Sequence, residues 1–252
     1  MARDKQAIPR PPKQLSIAAI ITGLAIILDE ISARVLSPFA SRTCDDSHKY
    51  TTEIVSLDPL VIYIHNFLSV KDMSGILEAS ENRFSPSLVK KDGKLVQNTY
   101  RTSWSAILPD GDPSVRCVLD RSKSFLGTML EPIEVEIGVP QLVRYTEGQE
   151  YNLHHDWMRV PQRAFDGSPR SFNRVASFFV ILQDGCEGGE TWFPFIKNVS
   201  PQSGEDRLWH EHEEGGLSFK PVAGNGIFWI NLFPNATGDT RTVHSGLPVT
   251  GV

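Results

Sequence analysis

Fourteen consecutive positions near the start of the chain, LSIAAIITGLAIIL (residues 15–28), carry only two polar side chains, Ser16 and Thr22. From residue 56 onward the apolar positions follow two other patterns. In SVKDMSGILEASENRF (69–84), Met73, Ile76 and Leu77 recur at helical spacing behind Ser69, a residue suited to an N-cap, and this predicts a helix. Val115, Val118, Leu119 and Leu126 form the inner stripe of a second helix over about 114–130. LVIYIHNF (60–67) is a β-branched apolar run and reads as a strand. Beyond Pro140 the apolar runs shorten and are broken by Gly, Pro, Asp and Asn. That pattern predicts strands at 141–146, 151–157, 174–183, 190–193, 217–220 and 226–231, with a last one near 240–244. Helices first and many short strands afterwards imply an α+β fold built on a β-sandwich or barrel. The polar stretch 37–55 reads as a linker, and 196–216, containing HEHEEGG, as a surface insertion.

The apolar run at the front changes the picture of where the chain resides. Residues 1–14 hold Arg3, Lys5, Arg10 and Lys13 against one acid, Asp4, and Asp29 and Glu30 close the run. A basic segment followed by such a stretch reads as a secretory targeting signal. Residues 15–36 are therefore expected to act as a signal anchor or a cleaved signal, with a helix of a soluble protein as the bland alternative. Fourteen residues fall short of the roughly 20 that span a bilayer, so an anchor would extend through Leu36 and bury Asp29, Glu30 and Arg34. The charge order puts the N-terminus in the cytosol and the rest in the lumen. The address expected is the endoplasmic reticulum membrane, or otherwise the secretory-pathway lumen. Two glycosylation sequons, at Asn198 and Asn235, agree with it.

Composition adds exclusions. With 40% hydrophobic and 22% charged residues the chain is neither collagenous nor disordered. A net charge of −5 gives a nucleic-acid partner no support. Cys44, Cys117 and Cys186 lack the spacing of a structural zinc site; an oxidising compartment would allow one disulfide plus one thiol, with the pairing open.

The densest chemical signal is YNLHHDW (151–157). Alternate side chains of a strand share a face, so His154 and Asp156 point one way and His155 the other. An imidazole and a carboxylate so placed can bind one ion, and His244 in TRTVHSGLPV is the natural third ligand from a distant strand. Two histidines and a carboxylate leave coordination positions open, an arrangement suited to Fe(II). An H-x-D pair alone is weak. His210 and His212 lie in an acidic stretch and read as solvated, while surface or core packing accounts for His48 and His65.

Further segments strengthen the reading. QLVRYTEGQEYNLHHDW (141–157), RVASFFVILQDGCEGGETWFPF (174–195), GLSFKPVAGNGIFWINL (216–232), HSGLPV (244–249) and Arg101-Thr102-Ser103 occur in an order that closely resembles the prolyl 4-hydroxylase catalytic subunit. The resemblance covers residues 56–252 as one catalytic domain. It implies a double-stranded β-helix (jelly-roll) core with supporting N-terminal helices, and an Fe(II)- and 2-oxoglutarate-dependent dioxygenase. It further implies iron held by His154, Asp156 and His244, 2-oxoglutarate chelating that iron in a pocket lined by the hydroxyls of Tyr145 and Thr191, and L-ascorbate rescuing oxidised iron. Gly188 and Gly189 would form a tight turn, Trp157 would shape a substrate channel, and 158–174 would lie over the site. The substrate implied is a prolyl residue of a protein or peptide, with a free amino acid or small metabolite as the alternative. One element departs from the pattern. Family members carry a lysine on the last core strand, beyond the distal histidine, that pairs with the far carboxylate of 2-oxoglutarate. Here eight residues follow His244. The expectation is a C-terminally short barrel in which another cation, Arg241 being near in sequence, takes that role, or a catalytically impaired truncated relative.

Overall fold

The computed structural model describes residues 15–22, 44–45, 47–91, 94–127, 137–163, 171–199 and 207–251. Two antiparallel sheets face each other. The larger has eight strands in the order Thr51–Leu57, Leu60–His65, Gly226–Ile230, Ala176–Gln183, Leu15–Thr22, Pro140–Tyr145, Trp104–Ile107, Ser85–Pro86. The smaller has five, in the order Trp209–Glu211, Leu217–Phe219, Thr191–Phe193, His244–Gly246, Tyr151–His154. This is the jelly-roll arrangement the resemblance implies.

Alternation along two strands explains how one sheet serves two cores. Phe178, Val180, Leu182 and Phe228 turn outward and pack with Ile76, Val115 and Val118 of the helices. Ile227 and Trp229 turn inward and pack with Phe193, Trp209 and Phe219 of the smaller sheet. Strands covered on both faces read as continuous apolar runs, which is why ASFFVILQ and GIFWI stand out in the sequence.

The two helices start where their caps predict. Helix α1 (Val70–Ala79) opens on a capping box in which Ser69 and Asp72 satisfy each other's backbone N–H. Helix α2 (Pro113–Leu126) opens on Asp112, whose carboxylate accepts from the N–H of Ser114 and Val115, with proline in the first turn. Arg121 on α2 donates to Asp72 Oδ2 at 2.7 Å and to the Phe67 carbonyl at 2.9 Å, joining the helices to the strand edge. A disulfide between Cys44 and Cys117 fastens the segment before the first of these strands to α2. Cys186 is the remaining cysteine.

Several boundaries differ from the sequence reading. Helix α1 ends at Ala79, five residues early, because Ser80 caps it; positions 128–130 of the second expected helix lie outside the described residues. The expected linker 37–55 gives way at Thr51 to an ordered strand pairing antiparallel with Leu60–His65, with a bulge between Ile54 and Ser56. The expected surface insertion contains the strand Trp209–Glu211, whose Trp209 is only 1% exposed. The last expected strand is a single 3-10 turn, Thr240–Thr242, followed by a strand that begins at His244.

The largest difference is at the front. Leu15–Thr22 is not the start of a helix but a strand, antiparallel to both Pro140–Tyr145 and Ala176–Gln183. It takes an inner position in the larger sheet, between those two strands. Positions 1–14 and 23–36 of that expectation lie outside the described residues. Among the described residues no helix is long and apolar enough to cross a membrane.

Candidate metal centre

The strands Tyr151–His154 and His244–Gly246 pair antiparallel with His244 opposite His154. That register sets the two imidazoles side by side, ring centroids 4.3 Å apart. Asp156, two residues beyond the first, completes a cluster whose ligand atoms all lie within 4.8 Å of one another.

Each member is held by a partner that leaves one donor atom available. His154 Nδ1 donates to the Asn152 carbonyl at 2.8 Å, and His244 Nδ1 to the Thr242 carbonyl at 2.9 Å. A carbonyl can only accept, so both rings carry the proton on Nδ1 and present a bare Nε2. Asp156 Oδ2 accepts from the Ser177 hydroxyl at 2.5 Å, and Oδ1 lies 2.7 Å from Arg174 Nη1. Behind Ser177 a buried chain continues: Asn231 Nδ2 donates to Ser177 Oγ and Trp229 Nε1 donates to Asn231 Oδ1, each at 2.9 Å. Ser177 Oγ, Asn231 Oδ1 and Trp229 Nε1 are thus each paired, as burial requires.

The protonation states follow from the surroundings. Burial, aided by the charge of neighbouring His244, pushes His154 down to about 3. Burial likewise lowers His244. For Asp156, burial works to raise the value, but Arg174, the two histidines and the Ser177 hydroxyl outweigh it and hold the carboxyl well below the usual range. At neutral pH the cluster is two neutral imidazoles and one carboxylate, a donor set that fits a ferrous ion.

The cluster opens on a cavity lined by Tyr145, Tyr151, Phe179, Ile181, Thr191 and Trp229 among others. Both residues expected to meet 2-oxoglutarate, Tyr145 and Thr191, are thus on its wall beside the three ligand candidates. Burial pushes the Tyr145 phenol up to about 12, so it remains a hydrogen-bond donor. The tight turn expected at Gly188 and Gly189 is instead a short strand, Glu187–Gly188, paired with Val249–Gly251; both glycines have positive φ, and a Cβ on Gly188 would meet the Pro248 carbonyl oxygen at 2.5 Å.

Other expectations resolve differently. Trp157 does not line the cavity. Its indole N–H donates to the Asp239 carbonyl at 3.1 Å, and its ring stacks on His155 with centroids 4.7 Å apart. Arg241 faces away: it forms ion pairs with Asp239 at 2.7 Å and with Asp58 at 2.8 Å. His210 lies 3.6 Å from Glu190 and His212 packs on Trp192, while His65 pairs with Glu53 and His48 with the Asn66 carbonyl. Residues 164–170 of the expected covering loop lie outside the described residues. Sequence reasoning passed over Ser177, Asn231 and Arg174; a polar residue interrupting an apolar strand was the available signal.

Comparison with known proteins agrees with the geometry. Residues 140–252 match the model of the 2OG-Fe(II) oxygenase superfamily. The chain is 32% identical over 212 residues to probable prolyl 4-hydroxylase 10 of Arabidopsis thaliana, covering 81% of this chain and 69% of that protein. It is 31% identical over 198 residues to prolyl 4-hydroxylase subunit alpha-3 of Mus musculus, covering 78% of this chain but 32% of that protein. Among solved structures, the 2OG complex of the viral collagen prolyl hydroxylase from Paramecium Bursaria Chlorella virus-1 superposes with a TM-score of 0.51. It shares 22% identity, and the match covers 83% of this chain and 92% of that one. This likeness bears on the fold.

Proposed function

The chain belongs to the prolyl 4-hydroxylases of the 2OG-Fe(II) oxygenase superfamily, and from that membership we propose that it hydroxylates prolyl residues of a protein or peptide through iron held by His154, Asp156 and His244. The observation that carries this is the strand pairing that sets His244 opposite His154 with Asp156 two residues on. When bound, Fe(II) and 2-oxoglutarate supply the oxidising chemistry that turns a C–H into a C–OH while 2-oxoglutarate becomes succinate and CO₂. The chain's own residues set the geometry. The carbonyls of Asn152 and Thr242 fix the imidazole planes, and Ser177 and Arg174 fix the carboxylate. In this reading the hydroxyls of Tyr145 and Thr191, both on the cavity wall, donate to a carboxylate of 2-oxoglutarate.

The test is 2-oxoglutarate decarboxylation by the full chain with Fe(II) and ascorbate, with proline-rich peptides and free proline offered in parallel. Stimulation by peptides alone is expected. Stimulation by free proline alone would move the substrate to a small molecule, and no turnover with either would sink the reading. A secretory-lumen address is part of the proposal. It is supported by the Cys44–Cys117 disulfide, which needs an oxidising compartment, and by the exposed Asn235 sequon. Endoglycosidase treatment of the chain from secretory cells should lower its apparent mass; an unchanged mass with the cysteines reduced argues against that address.

A further inference from the structure

Asp239, 3% exposed, caps the 3-10 turn Thr240–Thr242 that leads into His244. Its backbone meets the supports of two metal-ligand candidates. The N–H donates to the Asn231 carbonyl at 2.8 Å, and the Asn231 side chain holds Ser177 behind Asp156. The carbonyl accepts from the indole of Trp157, the residue after Asp156, at 3.1 Å and from the Thr242 hydroxyl at 2.8 Å. The Thr242 carbonyl in turn accepts from His244 Nδ1. One buried residue thus stands between the Asp156 segment and the His244 segment.

Such a residue keeps its place only if its own side chain is fixed. The Asp239 carboxylate accepts from the backbone N–H of Arg241 at 2.9 Å, and from the Arg241 guanidinium by two prongs, Nε to Oδ1 at 2.9 Å and Nη2 to Oδ2 at 2.7 Å. A two-pronged pair of this kind sets orientation as well as distance. Arg241 is itself steadied from outside. Its Nη2 also donates to Asp58 Oδ1 at 2.8 Å, in the turn between Thr51–Leu57 and Leu60–His65, and its guanidinium lies 5.3 Å from the centre of the Phe233 ring. The Asp58 side chain is 81% exposed, so water and salt screen that arm. The arm to Asp239 is the one that matters. Breaking it leaves a buried carboxylate without the arginine that, among the described residues, is its ion-pair partner.

We propose that Asp239 and Arg241 are positioning residues of the metal centre: their pair locks the turn before His244 so that this imidazole and Asp156 are presented to one ion together. The inference rests on the reading that His154, Asp156 and His244 hold the metal. Neither Asp239 nor Arg241 touches the ion; both act through Trp157, Asn231 and Thr242. The competing account is that the pair stabilises the fold and nothing more.

The test separates the two by titrating the full chain with Co(II), followed by its visible d–d absorption, alongside the melting temperature of the metal-free chain. Arg241→Gln removes the guanidinium, and Asp239→Asn keeps the size and the capping oxygen while removing the charge. Each should weaken Co(II) binding about tenfold, the lower end of what losing a partner behind a metal ligand costs, and broaden the d–d bands. Arg241→Lys, which keeps the charge without the two-pronged contact, should recover part of the loss. Arg121→Gln breaks the buried Arg121–Asp72 pair between the helices and is the structural control. It should lower the melting temperature and leave Co(II) affinity at the wild-type value. Wild-type affinity in both Arg241→Gln and Asp239→Asn would overturn the proposal, as would an equal loss in Arg121→Gln. Where one of the two site variants does not fold, the affinity of the other together with that of Arg241→Lys decides. A wild-type chain that takes up no Co(II) would instead sink the metal site itself, and the role of the pair with it.

Discussion

At the scale of single residues the site is a problem of keeping two imidazoles neutral and one carboxylate charged inside an apolar core. Desolvation accomplishes the first and Arg174 with Ser177 the second. A stability consequence follows. Both histidines have folded-state values below their ordinary 6.5, so between the two values the unfolded chain binds protons that the folded chain does not. Their contribution is complete above about pH 6.5 and is lost as pH falls toward the folded value, which for His154 is about 3. In metal-free chain, urea unfolding should be flat from pH 8 to pH 7. Below that it should fall by about 1.4 kcal/mol per pH unit for each histidine. A His154→Gln, His244→Gln double variant should lose most of that slope. A slope that survives in the variant would assign it elsewhere. The ligand triad was legible in the sequence because strand alternation and three ordered motifs converge on His154, Asp156 and His244. Ser177 and Asn231 were not, because one polar residue in an apolar run reads equally well as a satisfied core group until its partners are seen.

Elements rather than residues decide whether the triad assembles, since His154 and Asp156 come from one segment and His244 from another 88 positions later. The antiparallel ladder joins them on one side. On the other, Trp157 closes the arrangement: its N–H takes the Asp239 carbonyl, which the Thr242 hydroxyl also uses at 2.8 Å, and the Thr242 carbonyl in turn orients His244. Gly238 permits this, because a Cβ there would lie 2.2 Å from the Trp157 ring. The aromatic residue after H-x-D therefore acts as a clamp between ligand segments, a role that motif position cannot reveal since it depends on a contact between distant turns. Helix starts were legible from Ser69 and Asp112 because capping is local chemistry. The Trp209–Glu211 strand was not, because its partner Leu217–Phe219 is reached through a polar turn that looks like loop from end to end.

For the whole molecule the decisive element is Leu15–Thr22, whose apolar sequence is equally suited to a targeting signal and to an inner strand of a sheet. In the fold it sits between Pro140–Tyr145, which carries Tyr145, and Ala176–Gln183, which carries Ser177. It thus joins the half of the sheet that brings Tyr145 to the cavity wall to the half that holds the Asp156 support. An extended strand hydrogen-bonded on both sides and a membrane helix are mutually exclusive uses of the same eight residues. A chain beginning at residue 44 keeps the disulfide and both helices but loses this strand. Its loss should lower the stability of the sheet, because the ladder bonds on both sides of it are lost together. Hydrogen exchange should accelerate at 140–145 and 176–183 more than at 60–65, whose partners 51–57 and 226–230 remain in place. Iron affinity should fall as the support behind Asp156 loosens. If the shortened chain instead keeps full protection at 140–145 and 176–183 and the same melting temperature, the strand does not hold the barrel together. Residues 15–22 would then be available to a membrane.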